Sequence, residues 1–401
     1  MKIASINVRG LNDYKKQQKF ILFCKMQNFD AVFVQETHID TDVKARRFEQ
    51  LWGGRVYWSY GSNYSAGVAI LFKPHARLEI LSTISGENGR VLSVGVKIKD
   101  TLYNFISVYA PCKWKERVPF LEVLSRYIDK SAMVVMAGDF NFIKDPVIDY
   151  RGPATSFTVP MQGSEIINKL CTKYNLVDAY RARYPDRANF TCIARQTFSR
   201  LDRIFVASSL YNGVSSISVI PVGFSDHSSI IIQCSDPGET AKGPGYWKCN
   251  VSILSDADLS ADIRRHAELA AGEADKNAAW WEKLKNTFRS TIRLHSVRLA
   301  NIRKSKMRSL EGQISRMMDD PRADSVRLAL LKSELDECLS YIVKGDAVRA
   351  RLESLQEEIP KSFLNQLERS GGARKRMDRL TTEYGLVTDQ PSIMKEAARY
   401  Y

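Results

Sequence analysis

The residues best suited to chemistry lie in the stretch Gly138-Asp139-Phe140-Asn141. Asp139 and Asn141 are two apart, so an extended chain turns both side chains to one face. A carboxylate can take a proton or orient water, and a carboxamide can hold a phosphate oxygen. Gly138 lets the backbone turn without a Cβ clash. Polar residues close other apolar runs in the same way: Asn7, Gln35-Glu36, Tyr109, Asp202 and Ser225-Asp226-His227. Carboxylates offer hard oxygen ligands to a divalent cation, amides and a phenol grip phosphate, and one imidazole handles protons near neutral pH. If these ends share one rim, the ingredients suit metal-assisted phosphodiester hydrolysis. Taken singly, each also fits a plainer role: a strand-to-loop turn, a solvated cap at Glu36, an aromatic over the Ala110-Pro111 turn, a satisfied turn histidine. His38, His75, His266 and His295 have no comparable neighbours and read as structural.

The elements that must position these groups are legible as apolar runs. Met133-Val134-Val135-Met136-Ala137 is short and rich in branched residues, and it reads as a buried strand delivering Asp139 to its rim. Ile3 to Val8, Asp30 to Glu36, Gly67 to Phe72, Val91 to Ile98, Leu102 to Tyr109, Val214 to Val219 and Ser229 to Cys234 read likewise. Helical spacing marks Lys16 to Gln27 and Ser164 to Tyr174. Pro119 to Ile128 reads as a helix with Pro119 in its first turn. Phe190 to Ile193 and Leu201 to Val206 read as a hairpin around Ala194 to Arg200. Irregular alternation with frequent hairpins argues for an α/β fold of two packed sheets with outer helices.

A chain of 401 residues suggests two to three domains, and 44% hydrophobic content supports a packed core. The net charge of +14 favours a polyanionic partner, nucleic acid first and anionic membrane second. Seven scattered cysteines with no CxxC pair argue against zinc fingers and a disulfide framework, and fit a reducing compartment. The start, Met1 to Asn7, reads as a strand rather than a signal peptide, and no apolar stretch is long enough to span a bilayer.

The motifs, in order, are Asn7-x-x-Gly10, Gln35-Glu36-Thr37-His38, Val108-Tyr109-Ala110-Pro111, Gly138-Asp139-Phe140-Asn141, Arg200-Leu201-Asp202-Arg203 and Ser225-Asp226-His227. Together they resemble the endonuclease/exonuclease/phosphatase superfamily over residues 1 to about 235. The resemblance implies a four-layered α/β sandwich with a Mg²⁺ site between the sheets, Mn²⁺ being a possible substitute. By the same resemblance, Glu36 binds the metal with Asn7 and Asp226 near it, and Asp139 orients or deprotonates the attacking water. Asn141 and Tyr109 hold the scissile phosphate, and His227 contacts a non-bridging oxygen or acts as acid/base, oriented by Asp202. A cation and fixed donors suit the negative charge of the transition state. AP endonucleases usually carry Lys where this chain has His38, so Gln35 to His38 is more similar to the endonuclease of LINE-type non-LTR retrotransposons. Phe190-Thr191 also resembles that group, and Thr191, Arg195 and Ser225 are expected to meet DNA.

Composition changes after Cys234. Residues 236–246, rich in Gly and Pro, read as a linker between a nuclease domain at 1–235 and a mostly helical extension at 247–401. Between Lys283 and Leu310 there is no acidic residue, and Arg289, Arg293, Arg303, Lys304, Lys306 and Arg308 are expected to bind nucleic acid. Leu328, Leu331, Leu335, Cys338 and Ile342 alternate spacings of three and four, which suits a helix packing back as a hairpin. Met317-Met318-Asp319-Asp320 lacks the aromatic of a polymerase motif and is followed by Pro321 in a helical context, so no polymerase centre is read there. Tyr246 to Asn250, Lys361-Ser362-Phe363 and Gly385 to Tyr401 resemble the segment joining endonuclease to reverse transcriptase. The chain then looks like the amino-terminal part of a longer protein. That implies an enzyme nicking duplex DNA to leave a 3′-hydroxyl primer, with template RNA as second partner, cytoplasmic synthesis, nuclear action and no membrane. The alternatives are a host-type AP endonuclease, a phosphoinositide or sphingomyelin phosphodiesterase, and a nucleic-acid binder with a decayed site.

Overall fold

The computed structural model describes residues 1–152, 163–194, 197–234, 251–273, 276–319, 324–355, 380–382 and 385–387. Two six-stranded mixed sheets carry the site. The first is ordered β14 (Val214–Pro221), β15 (Ser228–Cys234), β1 (Lys2–Asn7), β2 (Ala31–Gln35), β4 (Val68–Phe72) and β3 (Val56–Ser59). The second is ordered β10 (Leu176–Asp178), β13 (Asp202–Ala207), β8 (Met133–Asp139), β7 (Thr101–Tyr109), β6 (Val91–Ile98) and β5 (Glu79–Gly86). A small third sheet joins β11 (Cys192–Ala194), β12 (Thr197–Ser199) and β9 (Tyr150–Arg151).

Side-chain alternation sorts each strand between two cores. Ile3, Phe33, Phe105, Val135, Ala137, Ile204, Val206, Ile230 and Ile232 point between the sheets. Phe33 and Phe105 meet there edge to face, centroids 5.7 Å apart. Ala4, Ile6, Val32, Val34 and Ile231 point outward onto α1 (Tyr14–Gln27) and α2 (Asp42–Trp52). Ile106, Val108, Val134, Met136 and Phe205 point outward onto α3 (Trp114–Val123) and α4 (Ser164–Tyr174). The result is four layers: helices, sheet, sheet, helices. Short helices α5 (Ala179–Arg183) and α6 (Ser208–Tyr211) sit at connections.

Two expectations are corrected. The strand at Asp202 does not pair back on Phe190 to Ile193. It enters the second sheet between β10 and β8, and the hairpin is the shorter β11–β12 pair. The helix placed from Pro119 starts at Trp114 and ends at Val123, followed by a 3-10 turn, so Pro119 lies inside it. As the sixth residue of the helix, Pro119 lies past the free N–H groups of the first turn and leaves the Lys115 carbonyl without its usual i+4 donor.

The described residues form two compact units, one comprising Met1–Pro237 with Arg298–Gly345 and the other Gly238–Val297 with Asp346–Tyr401. One boundary, after Pro237, falls at the compositional break, while Arg298–Gly345 of the expected extension belongs to the first unit. The expected linker at 236–246, Tyr246 to Asn250 and Lys361-Ser362-Phe363 lie outside the described residues. Of Gly385 to Tyr401, only 385–387 are described. Two long helices, α8 (Ala278–Asp319) and α9 (Ser325–Leu355), follow α7 (Ala257–Ala271). In the first unit Met307, Leu310, Ile314 and Met318 of α8 and Leu328, Leu331, Leu335 and Leu339 of α9 join the outer core with Phe20, Phe23, Val222 and Phe224. The heptad-like seam is therefore core, and Met318 fills it. In the second unit His295 binds Asp262 at 2.9 Å, and the short strands β16 (Leu380–Thr382) and β17 (Gly385–Val387) pair.

Candidate active site

The inward phase of the strands runs on past the apolar core and turns polar at one edge. Asn7 follows Ile3 and Ser5 by twos, Tyr109 follows Phe105 and Ser107, Asp139 follows Val135 and Ala137, and Asp202 precedes Ile204 and Val206. Register fixes the level. Asn7 pairs with Gln35, and Asp139 pairs with both Tyr109 and Asp202. Gly138 makes this row possible: its φ is +154°, and a Cβ there would stand 1.8 Å from Val108 O. Glu36, His38 and Asn141, just beyond the strand ends, hold left-handed φ of 52°, 56° and 50°. Such backbones cost about 1–3 kcal/mol each, and surrounding structure must enforce them.

Asn7 Nδ2 donates to Glu36 Oε1 at 2.8 Å and to Asp139 Oδ2 at 3.0 Å, tying one carboxylate from each sheet. Its Oδ1 accepts from the Arg9 backbone N–H at 3.0 Å. Asn7 therefore bridges the two carboxylates. Asp139 Oδ1 accepts from Asn141 N at 2.9 Å, and Asn141 Nδ2 donates to Ala110 O at 2.8 Å. His227 Nδ1 and Asp202 Oδ2 are 2.8 Å apart, and His227 Nε2 lies 4.0 Å from Asp139 Oδ2. Glu36 Oε2 lies 3.4 Å from His38 Nε2, and Tyr109 also hydrogen-bonds Glu36.

These neighbours push the titrations apart. Burial would raise Glu36, but the nearby imidazole of His38, the hydrogen bond from Asn7 and the charge of His227 hold it at about 2. Asp139 is raised to about 7, first by burial and then by the like charge of Asp202. Burial would lower His227, yet the Asp202 carboxylate holds it well above its ordinary value. Tyr109 is raised by burial and by the charge of Glu36, so its phenol stays a donor.

Asp226, Thr191 and Ser225 lie around the same centre. Asp226 is half-buried beside His227 and forms an ion pair with Arg9. Thr191 and Ser225, expected to face DNA, are buried. Thr191 Oγ1 accepts from Asp202 N at 3.0 Å and Leu201 N at 3.1 Å, while Ser225 Oγ donates to Asn7 O at 2.8 Å. Both hydroxyls fix backbone of the cluster, at Asp202 and at Asn7. Arg195 lies outside the described residues. Arg289, Arg293, Lys304, Lys306 and Arg308 are exposed along α8, and Arg303 stacks over Tyr341 at 5.5 Å.

Sequence reasoning missed His38 as a neighbour of Glu36 and Arg9 as the partner of Asp226. It also missed why Arg200 and Arg203 flank Asp202. Both guanidiniums are buried. Arg200 Nη2 binds Asp178 Oδ1 at 2.6 Å, and Arg203 Nη2 binds Asp149 Oδ2 at 3.2 Å, with Arg181 also on Asp149. A charge such as Arg203 inside the run Asp202 to Val206 demands a buried partner, and that was the available signal.

The donor set suits a hard divalent cation. Glu36 is an ionised, incompletely buried carboxylate. The possible ligand atoms of Asp139, Asp202 and His227 lie within 4.8 Å of one another; those of Cys192, Asp226 and His227 do too, but the Cys192 thiol is too soft for such a cation. Asp202 Oδ1 is buried without a hydrogen-bond partner among the described residues.

The model of the endonuclease/exonuclease/phosphatase family matches residues 4–227. The chain belongs to that family. Within it, similarity to the "Transposon TX1 uncharacterized 149 kDa protein" of Xenopus laevis extends over this whole chain at 26% identity. The chain spans 31% of that relative's length. The exodeoxyribonuclease of Bacillus subtilis (strain 168) is 25% identical across 46% of this chain and 77% of its own. A solved AP endonuclease from Archaeoglobus fulgidus superposes with a TM-score of 0.51 at 19% identity, covering 59% of this chain and 100% of that one, a likeness of fold. Among the described residues no helix is long and apolar enough to cross a membrane.

Proposed function

We propose that this chain is the nuclease-bearing part of a non-LTR retrotransposon protein. It nicks duplex DNA with a divalent cation, Mg²⁺ or Mn²⁺, and leaves a 3′-hydroxyl from which reverse transcription is primed. The observation that carries the reading is Asn7 donating to both Glu36 and Asp139, with the His227–Asp202 pair beside them. Family membership and similarity along the whole chain to a transposon protein support the retrotransposon setting.

Asp139, with a pKa near the working pH, takes the proton of the attacking water. Attack forms the new P–O bond and breaks the bond to the 3′-oxygen, which takes up a proton from solvent to become the 3′-hydroxyl. His227, kept protonated by Asp202, and Tyr109 and Asn141 hold the phosphate oxygens as charge builds. Glu36 would hold the cation, which supplies positive charge to the phosphate and the leaving oxygen. The product's 3′-hydroxyl is what a polymerase extends. The acid-free face of α8 holds the nicked target or the template RNA, and the site of action is nuclear.

Supercoiled plasmid incubated with the protein and Mg²⁺ should relax to nicked circles carrying polymerase-extendable 3′ ends, and a chelator should abolish this. Absence of nicking with either cation would sink the proposal. Cleavage many times faster at an abasic site would favour the AP endonuclease reading, against which His38 stands. Replacing Lys304, Lys306 and Arg308 by Gln should flatten the salt dependence of nucleic-acid binding by about 0.9 in log–log slope for each phosphate no longer neutralised.

A further inference from the structure

The loop that carries Asp226 and His227 has α9 as its outer wall. Val222 and Phe224 pack in one apolar cluster with Leu328, Leu331 and Leu335. At Gly223 the helix comes so close that a Cβ would stand 2.8 Å from Asp336 Cα. One turn before Asp336, Lys332 reaches over the same loop. Its Nζ lies 3.5 Å from Ser225 O and 3.4 Å from Asp226 O, the two carbonyls immediately before His227. Asp336 in turn holds α1 through Lys19 at 2.6 Å. Leu331, Lys332, Leu335 and Asp336 thus form one helical face spread over residues 222–226.

We propose that Lys332 is a positioning residue of the nuclease, so that the centre is complete only with the α8–α9 hairpin docked. The inference rests on the nuclease reading above. An ammonium taken partly out of water is expensive and would be replaced with profit by an apolar side chain of similar length if packing were its whole purpose. Its charge instead meets two carbonyls whose orientation sets the course of the backbone into Asp226 and His227. Ser225 links the same loop to Asn7 through its hydroxyl. Lys332 therefore acts on both groups that flank Asp139 without touching substrate.

The test uses the full chain. Lys332→Met should lower kcat for plasmid nicking roughly tenfold or more, the scale of losing an outer-shell partner. KM should change little, Tm should hold or rise, and Lys332→Arg should recover most of the rate. Hydrogen exchange of residues 222–228 should quicken in Lys332→Met and not in Lys332→Arg. Asp336→Lys should also slow nicking, and Lys19→Asp with Asp336→Lys should restore it by reversing the pair. Wild-type nicking decides the functional reading; the variant-to-wild-type ratios and the exchange rates decide this one, and exchange needs no activity. Unchanged kcat with unchanged exchange would overturn it. So would equal losses in the Met and Arg variants, or a kcat loss matched by a fall in Tm.

Discussion

The two sheets share one pairing plan. From edge to edge each runs antiparallel, antiparallel, parallel, antiparallel, antiparallel, with the parallel pair β1–β2 in one and β8–β7 in the other. Equivalent strand ends meet across the interior. Asn7 at the end of β1 donates to Asp139 at the end of β8, and Glu36 after β2 meets Tyr109 at the end of β7. His227 before β15 binds Asp202 at the start of β13. A common plan thus creates three cross-sheet pairs, and residue type alone makes them unequal. The first sheet contributes an ionised carboxylate on a left-handed residue, open enough to receive a cation. The second contributes a fully enclosed carboxylate that resists ionisation. Two carboxylates whose environments push their titrations apart mark a division of labour between charge and proton transfer.

The sharpest way to break this comparison is to make each carboxylate an amide. Asp139→Asn removes the proton acceptor with little change of shape, and nicking should fall about 10²–10⁴-fold at any metal concentration. Glu36→Gln should instead raise the Mg²⁺ needed for half-maximal rate by at least the roughly tenfold that loss of an outer-shell partner costs. Metal titrations of both variants check this. Equivalent behaviour would mean the two rims do one job.

The same pair should separate in stability. Glu36 titrates lower folded than unfolded, so its contribution, about 3 kcal/mol, is complete above its ordinary value near 4.5 and is lost as pH falls toward about 2. Asp139 is raised, so the folded state holds its proton longer and stability falls as pH climbs from the ordinary carboxylate range toward about 7. At neutral pH Glu36→Gln should lower Tm and Asp139→Asn should raise it. Thermal melts from pH 3 to 8 read both, and a shared sign would refute the contrast.

Much of this was legible beforehand, for a specific reason. Strand ends carrying Asn7, Glu36, Tyr109, Asp139, Asp202 and His227 stood out because a core has no use for such groups, and all converge. What remained hidden was phase. These strands are buried on both faces, so Val134-Val135-Met136-Ala137 reads as a plain apolar run, and nothing in it says that 135 and 137 face the site while 134 and 136 face helices. Resemblance alone put Thr191 against DNA, whereas its hydroxyl is consumed under Asp202. α2 went unread although Ala45, Phe48 and Trp52 have helical spacing, and β3, β5 and β10 are edge strands. Lys332 could not be read at all, since its partners are backbone carbonyls about a hundred residues away.

The smallest effect asks what holds the two rims in register. Beneath the site Gln35 of the first sheet donates from Nε2 to Ser107 Oγ of the second at 3.2 Å, and Ser5 Oγ donates to Gln35 Oε1 at 3.3 Å. All three residues are fully buried. One view makes this bridge the spacer that sets the Asn7–Asp139 distance. The other leaves spacing to the apolar layer of Phe33, Phe105, Val135 and Ile204, which cannot compress. Ser107→Ala separates them. It strands one buried amide N–H, which should cost about 1–3 kcal/mol in urea unfolding. If the apolar layer sets the spacing, nicking by the folded variant should stay close to wild type, because Asn7 still reaches both carboxylates. A loss of kcat comparable to that of Asp139→Asn would overturn this and make the polar bridge the device that brings the two rims to working distance.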